Sequence, residues 1–125
     1  MRFNTKLIDI CKVVEHSGSV SLKTYLLRNE VICLKFEWDE SKNIINIQKH
    51  NVSFEEAMTV FKDSRAVLRY DEEHSETEDR FNIIGRSQMS KLLIVCHCYR
   101  ESDTIIRIIT ARKPTKTETV YYEEE

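Results

Sequence analysis

The chain is 125 residues long and 32% charged, with only two glycines and one proline. This excludes collagen-like, low-complexity and largely disordered classes, and the length fits one domain with a real buried core. A formal net charge of −2 also excludes attachment to long nucleic acid by bulk charge, so any RNA contact has to be a local patch of Arg and His.

The charge is unevenly spread. Residues 1–34 carry five basic and three acidic groups, and residues 35–125 carry fourteen and eighteen. The longest apolar runs are too short to span a membrane, and Asp9, Lys12 and Glu15 interrupt what would be the apolar region of a signal peptide. Four cysteines without regular spacing fit a reducing cytoplasm, where thiols stay free.

In chain order, Leu7, Ile8, Ile10, Cys11 and Val14 suggest a short amphipathic helix broken at Ser17-Gly18-Ser19, and Ser21 to Arg28 a second helix or a strand. Phe36-Glu37-Trp38 reads as a strand. Asp39 stands at a helix N-cap, and Ile44, Ile45 and Gln48 are expected to form the apolar face of that helix. Lys49-His50-Asn51 ends it, with cations in the last turn and Asn at the left-handed stop. Ser53 opens a second helix with Glu56 completing a capping box, and Phe54, Ala57, Met58 and Phe61 on its inner face. Period-two patterning then predicts strands at 66–70, 80–86, 91–99 and 104–111, with an acidic loop at 71–79. Pro114 stops the last strand, and residues 116–124 read as a helix. The order predicts an α+β domain: two N-terminal helices and a C-terminal helix packed on one face of an antiparallel meander.

Alternation sorts Arg80, Asn82, Arg86, His97 and Arg107 onto the sheet face away from the helices. Such a set has the parts for RNA cleavage without metal. Attack of the ribose 2′-hydroxyl on its own phosphate needs a base, an acid and fixed positive charge. Imidazole moves protons near neutral pH, and guanidinium grips phosphate oxygens in pairs. The same residues also fit an inert, solvated face. His50 fits a helix C-terminus better than catalysis. In Cys96-His97-Cys98 the thiols are expected toward the core and the imidazole away from it, which speaks against a shared metal. No Gly-rich phosphate loop or zinc signature occurs, and neither a cofactor nor a metal is expected.

Residues 35–125 resemble the BrnT family of bacterial toxins. The resemblance is carried by Phe36-Glu37-Trp38-Asp39, Lys49-His50, Val52-Ser53-Phe54-Glu55-Glu56-Ala57, His74-Ser75-Glu76 before Arg80-Phe81, and Ile84-Gly85-Arg86-Ser87. It continues through Leu92-Leu93-Ile94-Val95 with His97, Arg107 to Arg112, and Glu118 with Tyr122. It implies a RelE-like fold and the toxin half of a type II toxin–antitoxin pair, an endoribonuclease that arrests growth. The partner would be a BrnA-like ribbon-helix-helix antitoxin that carries any DNA contact. The resemblance places Arg80, Arg86, His97, Arg107, Arg112 and Glu118 near the RNA site; His97, Arg107, Arg80 and Glu118 are expected to be catalytic, and Arg86, Arg112, Lys49 and His50 to contact RNA.

Three positions depart from the family pattern. Asn51 stands where Gly is common, Pro114 where Ala is common, and Thr119 where the residue after the helix glutamate is usually Arg. The last departure supports an alternative: a catalytically weakened homologue that binds antitoxin and acts only in operon repression. Residues 1–34 lie outside the resemblance. They are either an extension that packs on the domain or the product of a mis-called start, with initiation at Leu34.

Overall fold

The computed structural model describes residues 5–13, 31–101 and 104–123, with side chains from Lys35 onward. The expectations for Ser17-Gly18-Ser19 and for residues 21–28 lie outside the described residues.

Six strands form one sheet: β1 (Thr5–Val13), β2 (Val31–Asp39), β3 (Val67–Tyr70), β4 (Phe81–Arg86), β5 (Leu92–Arg100) and β6 (Ile105–Arg112). Their spatial order is β1-β2-β6-β5-β4-β3. From β3 to β6 the sheet is the expected antiparallel meander. It is a mixed sheet overall, because β2 lies parallel to β6 through Lys35↔Ile105 to Glu37↔Arg107. Residues 5–13 are a strand rather than the expected helix, paired antiparallel with β2 from Thr5↔Asp39 to Val13↔Val31. A short apolar run fits either period, and here the open side of β2 offers a backbone ladder. The division drawn at residues 34/35 falls inside β2.

Helix α1 (Glu40–His50) starts and stops on its predicted signals. The Asp39 carboxylate accepts from Ser41 N, and Asn51 takes φ 58° while its N–H bonds Ile47 O. Its inner face differs from expectation. Asn43 and Asn46 are buried, whereas Ile44, Ile45 and Ile47 are 52, 52 and 40% exposed. The reason is backbone satisfaction. Asn46 donates to the carbonyls of Val52 and Ala111 and accepts from Ala111 N, and Asn43 accepts from Phe54 N. In α2 (Phe54–Thr59), continued by a 3₁₀ turn at Val60–Lys62, Ser53 Oγ caps Glu56 N at 3.0 Å. The capping box is only half made, because the Glu56 carboxylate accepts from Ser87 Oγ at 2.7 Å instead.

Under α1 and α2 lies the main core, with Phe36, Trp38, Phe54, Phe61, Ile83, Val95 and Ile108 among its members. Helix α3 (Lys116–Glu123) does not join the other two helices on that face. Tyr122 packs with Ile84 and Ile94, which alternate with Ile83 and Val95 and so lie on the opposite side of the sheet. Gly85 leaves room on the sheet for Val60, in the 3₁₀ turn, and for Ala66. A Cβ there would sit 2.9 Å from the Ala66 Cβ and 3.0 Å from Val60 Cγ1.

Candidate functional site

The site is the sheet face that α3 only partly covers. Register decides who belongs to it. Phe81 pairs with His97, and Ile83 with Val95, so His97 shares the core face with them. It is fully buried, edge-on to Phe61 at 4.9 Å and near Phe81 and Tyr99. Nδ1 lies 3.1 Å from Val95 O and Nε2 3.2 Å from the Tyr99 hydroxyl, so the ring donates through Nδ1 to the carbonyl and accepts from the tyrosine. Burial pushes its pKa down to about 4. The expectation of a catalytic His97 on the open face is thus corrected, and the thiols of Cys96 and Cys98 take the side that had been given to the imidazole. Burial holds the Cys96 thiol up at about 11, so it stays protonated at neutral pH.

A second shift comes from a bulge. Cys96 pairs with Thr110 and His97 with Ile108, leaving Ile109 without a partner. The bulge turns Ala111 into the core and sets Thr110 and Arg112 on the open face with Arg107.

Across this face runs a cleft of about 560 Å³. Asn82, Ile84, Ile94 and Cys96 form its floor. Its walls include Arg69, Asp71, His74, Arg80, Arg112, Glu118 and Tyr121. Arg112 and Glu118 form a two-pronged pair at 2.9 and 3.0 Å, and Glu118 also accepts from Thr115 N at 2.8 Å. The guanidinium beside it draws the Glu118 carboxyl down to about 2, so it is ionised throughout the neutral range. Arg69 stacks 3.8 Å above the ring of Tyr121. Arg80 meets Glu78 at 3.6 Å, and its buried Nε has no hydrogen-bond partner among the described residues.

Opposite Arg112, the chain after β3 forms a 3₁₀ turn at Glu72–His74. This turn holds His74 Nδ1 2.9 Å from Asp71 Oδ2, with Asp71 mostly shielded and the imidazole 61% exposed. The carboxylate oxygen accepts, so Nδ1 donates to it and Nε2 is the ring nitrogen left to act on a ligand. His74 and Asp71 were missed as site residues because the acidic segment reads as a solvated loop, and Arg69 because nothing in its short strand singles it out. The signal was the Asp71/His74 spacing, which matters only once the turn is known.

Of the predicted residues, Arg80, Arg112 and Glu118 are brought together. Arg107 shares the face but not the cleft wall; it donates to Glu37 Oε2 at 2.8 Å and ties β6 to β2. Arg86 stands near the Tyr122 ring and donates to Ser90 O at 3.1 Å, also outside the cleft. Lys49 and His50 end α1, on the other side of the sheet. Among the described residues, no group of three or more His, Cys, Asp or Glu is placed to hold a metal ion, and no helix is long and apolar enough to cross a membrane.

No curated protein matches this chain. One family model does, described as the ribonuclease toxin, BrnT, of a type II toxin–antitoxin system, and it covers residues 38–118. That stretch runs from the core Trp38 to Glu118, the partner of Arg112, and takes in the helices on the core face, the meander and the arginines of the cleft. The chain belongs to the BrnT family of ribonuclease toxins.

Proposed function

We propose that this chain is a metal-independent endoribonuclease of RelE-like fold, acting in the cytoplasm to arrest growth and neutralised by a BrnA-like ribbon-helix-helix antitoxin. DNA is reached only through that antitoxin. The supporting observation is the convergence of Arg69, Arg80, Arg112 and the His74–Asp71 pair on one cleft. His74 Nε2 takes the proton of the ribose 2′-hydroxyl as its oxygen bonds to phosphorus. The bond from phosphorus to the 5′-oxygen breaks, and that oxygen leaves with a proton from solvent. The products are a 2′,3′-cyclic phosphate and a 5′-hydroxyl end. Arg80 and Arg112 hold the non-bridging oxygens as their charge grows. Glu118 is a positioning residue, since it fixes Arg112.

The test uses purified full chain with an RNA oligonucleotide and its copy carrying one 2′-deoxyribose at the cut. Cleavage is expected to persist in excess chelator and to stop at the deoxy position. His74→Asn is expected to slow turnover on the order of 10²-fold. Loss of activity to chelator, or cleavage of the deoxy substrate, sinks the mechanism.

One observation favours the catalytically weakened reading. Thr119 bends back to donate to Thr115 O at 2.9 Å and adds no charge to the cleft. Expression without antitoxin separates the two. Harmless, soluble expression that becomes toxic with Thr119→Arg supports the weakened form.

A further inference from the structure

Helix α1 is built inside out. Its buried side is amide, and its exposed side carries Ile44, Ile45 and Ile47. At 100° per residue these isoleucines spread, with Glu40, Ser41 and Gln48, over an arc of about 160°, and the Glu40 carboxylate at its N-terminal end is turned to Trp38 and Asn43. Lys42 and Lys49 line one border of it. Past the last turn, His50, Lys91 and Lys113 surround a hollow of about 270 Å³ over Val52 and Leu93. Exposed β-branched residues lower helix stability slightly, and these three stand outside the main core cluster. Three exposed isoleucines gathered on one face of a single helix mark a contact site. The cationic margin stands out on a chain of net charge −2.

We infer that the exposed face of α1 is the docking surface for the antitoxin, through an amphipathic segment that is apolar on one side and acidic along its margin. The inference rests on the toxin reading for the existence of that partner, and it adds where and by what chemistry the partner binds. RNA is the poorer occupant. Phosphates would meet the lysines but leave the isoleucines wet, and the stripe offers no ring for base stacking. The helix lies across the sheet from the cleft, so substitutions on it leave the cleft walls intact.

The test is calorimetric titration of the full chain with a purified BrnA-like ribbon-helix-helix protein, in the absence of RNA. Ile44→Glu with Ile47→Glu, both at solvent-exposed positions, is expected to weaken binding at least about 100-fold with melting temperature and RNA cleavage unchanged. Lys42→Glu is expected to weaken it on the order of 10-fold and to flatten its salt dependence. The inference is overturned if that protein does not bind the wild-type chain, or if the double variant binds as tightly as wild type. It is equally overturned if the double variant loses RNA cleavage instead, or if sedimentation shows a wild-type dimer that the variant dissociates. Binding is read without RNA, so a chain inert toward RNA still reports on this face.

Discussion

His97 offers a quantitative check on which way β5 faces. Its imidazole is fully buried among Phe61, Phe81 and Tyr99, and its pKa is displaced from 6.5 to about 4. In the unfolded chain the ring binds a proton near its ordinary pKa, and in the folded chain it resists until the pH is far lower. Stability from this group is therefore complete above pH 6.5 and is lost as the pH falls toward 4. Integrating the two proton-binding curves between pH 7.5 and 5 gives a loss of about 2 kcal/mol, rising to about 3 kcal/mol at pH 4. His97→Gln keeps a donor and an acceptor of similar reach but cannot titrate. The assay is urea unfolding at pH 7.5, 6, 5 and 4 for both proteins. The difference between the two stability curves isolates His97 from the acidic residues, which titrate in both. The wild type is expected to fall away from the variant by the stated amounts, with RNA cleavage at pH 7.5 retained. A difference that stays flat from pH 7.5 to 5, or a ring that titrates near 6.5 by NMR, would refute the buried placement.

Other expectations follow from single contacts. Asn46→Ala orphans the Ala111 N–H and the Val52 carbonyl inside the fold and is expected to cost about 3 kcal/mol in chemical unfolding. Gly85→Ala forces a methyl against Ala66 and Val60 and is expected to destabilise by about 1–3 kcal/mol, read as a lower melting temperature. Glu118→Ala is expected to change stability by only about 1 kcal/mol, because the pair with Arg112 is partly solvated and screened. The same change frees Arg112, so RNA cleavage is expected to fall more than about 10-fold. A large stability loss with normal cleavage would reverse the assigned role.

Much of the local grammar was legible. Asp39, Asn51 and Ser53 do what their residue types suggest, and β3 to β6 fall within a residue or so of the alternating runs. Of the six residues that the family resemblance groups, Arg80, Arg112 and Glu118 line one cleft. What could not be read was how the parts join. Alternation divides each strand into two sets, but which set of β5 lies beside which set of β4 depends on register, and one pairing, Phe81 with His97, decides it. The bulge at Ile109 leaves no trace in hydropathy, yet it fixes the side on which Arg112 emerges. In α1 the apolar residues suggested the inner face, whereas two asparagines took it by satisfying backbone groups distant in sequence. His74 was hidden for a related reason: a charged segment reads as solvated until its turn is seen.

The short parallel junction between β2 and β6 also sets an order of assembly. Neighbours from β3 to β6 are joined by short connections, so they can pair while little chain entropy is lost. The N-terminal strands and α1 reach the sheet only through contacts such as Asn46 with Ala111, 65 residues apart, and Glu37 with Arg107, 70 apart. During synthesis those partners emerge late, and Arg112 and Glu118 emerge later still. The cleft therefore does not exist on the growing chain until the last strand, which ends at Arg112, and the helix that carries Glu118 have both been made.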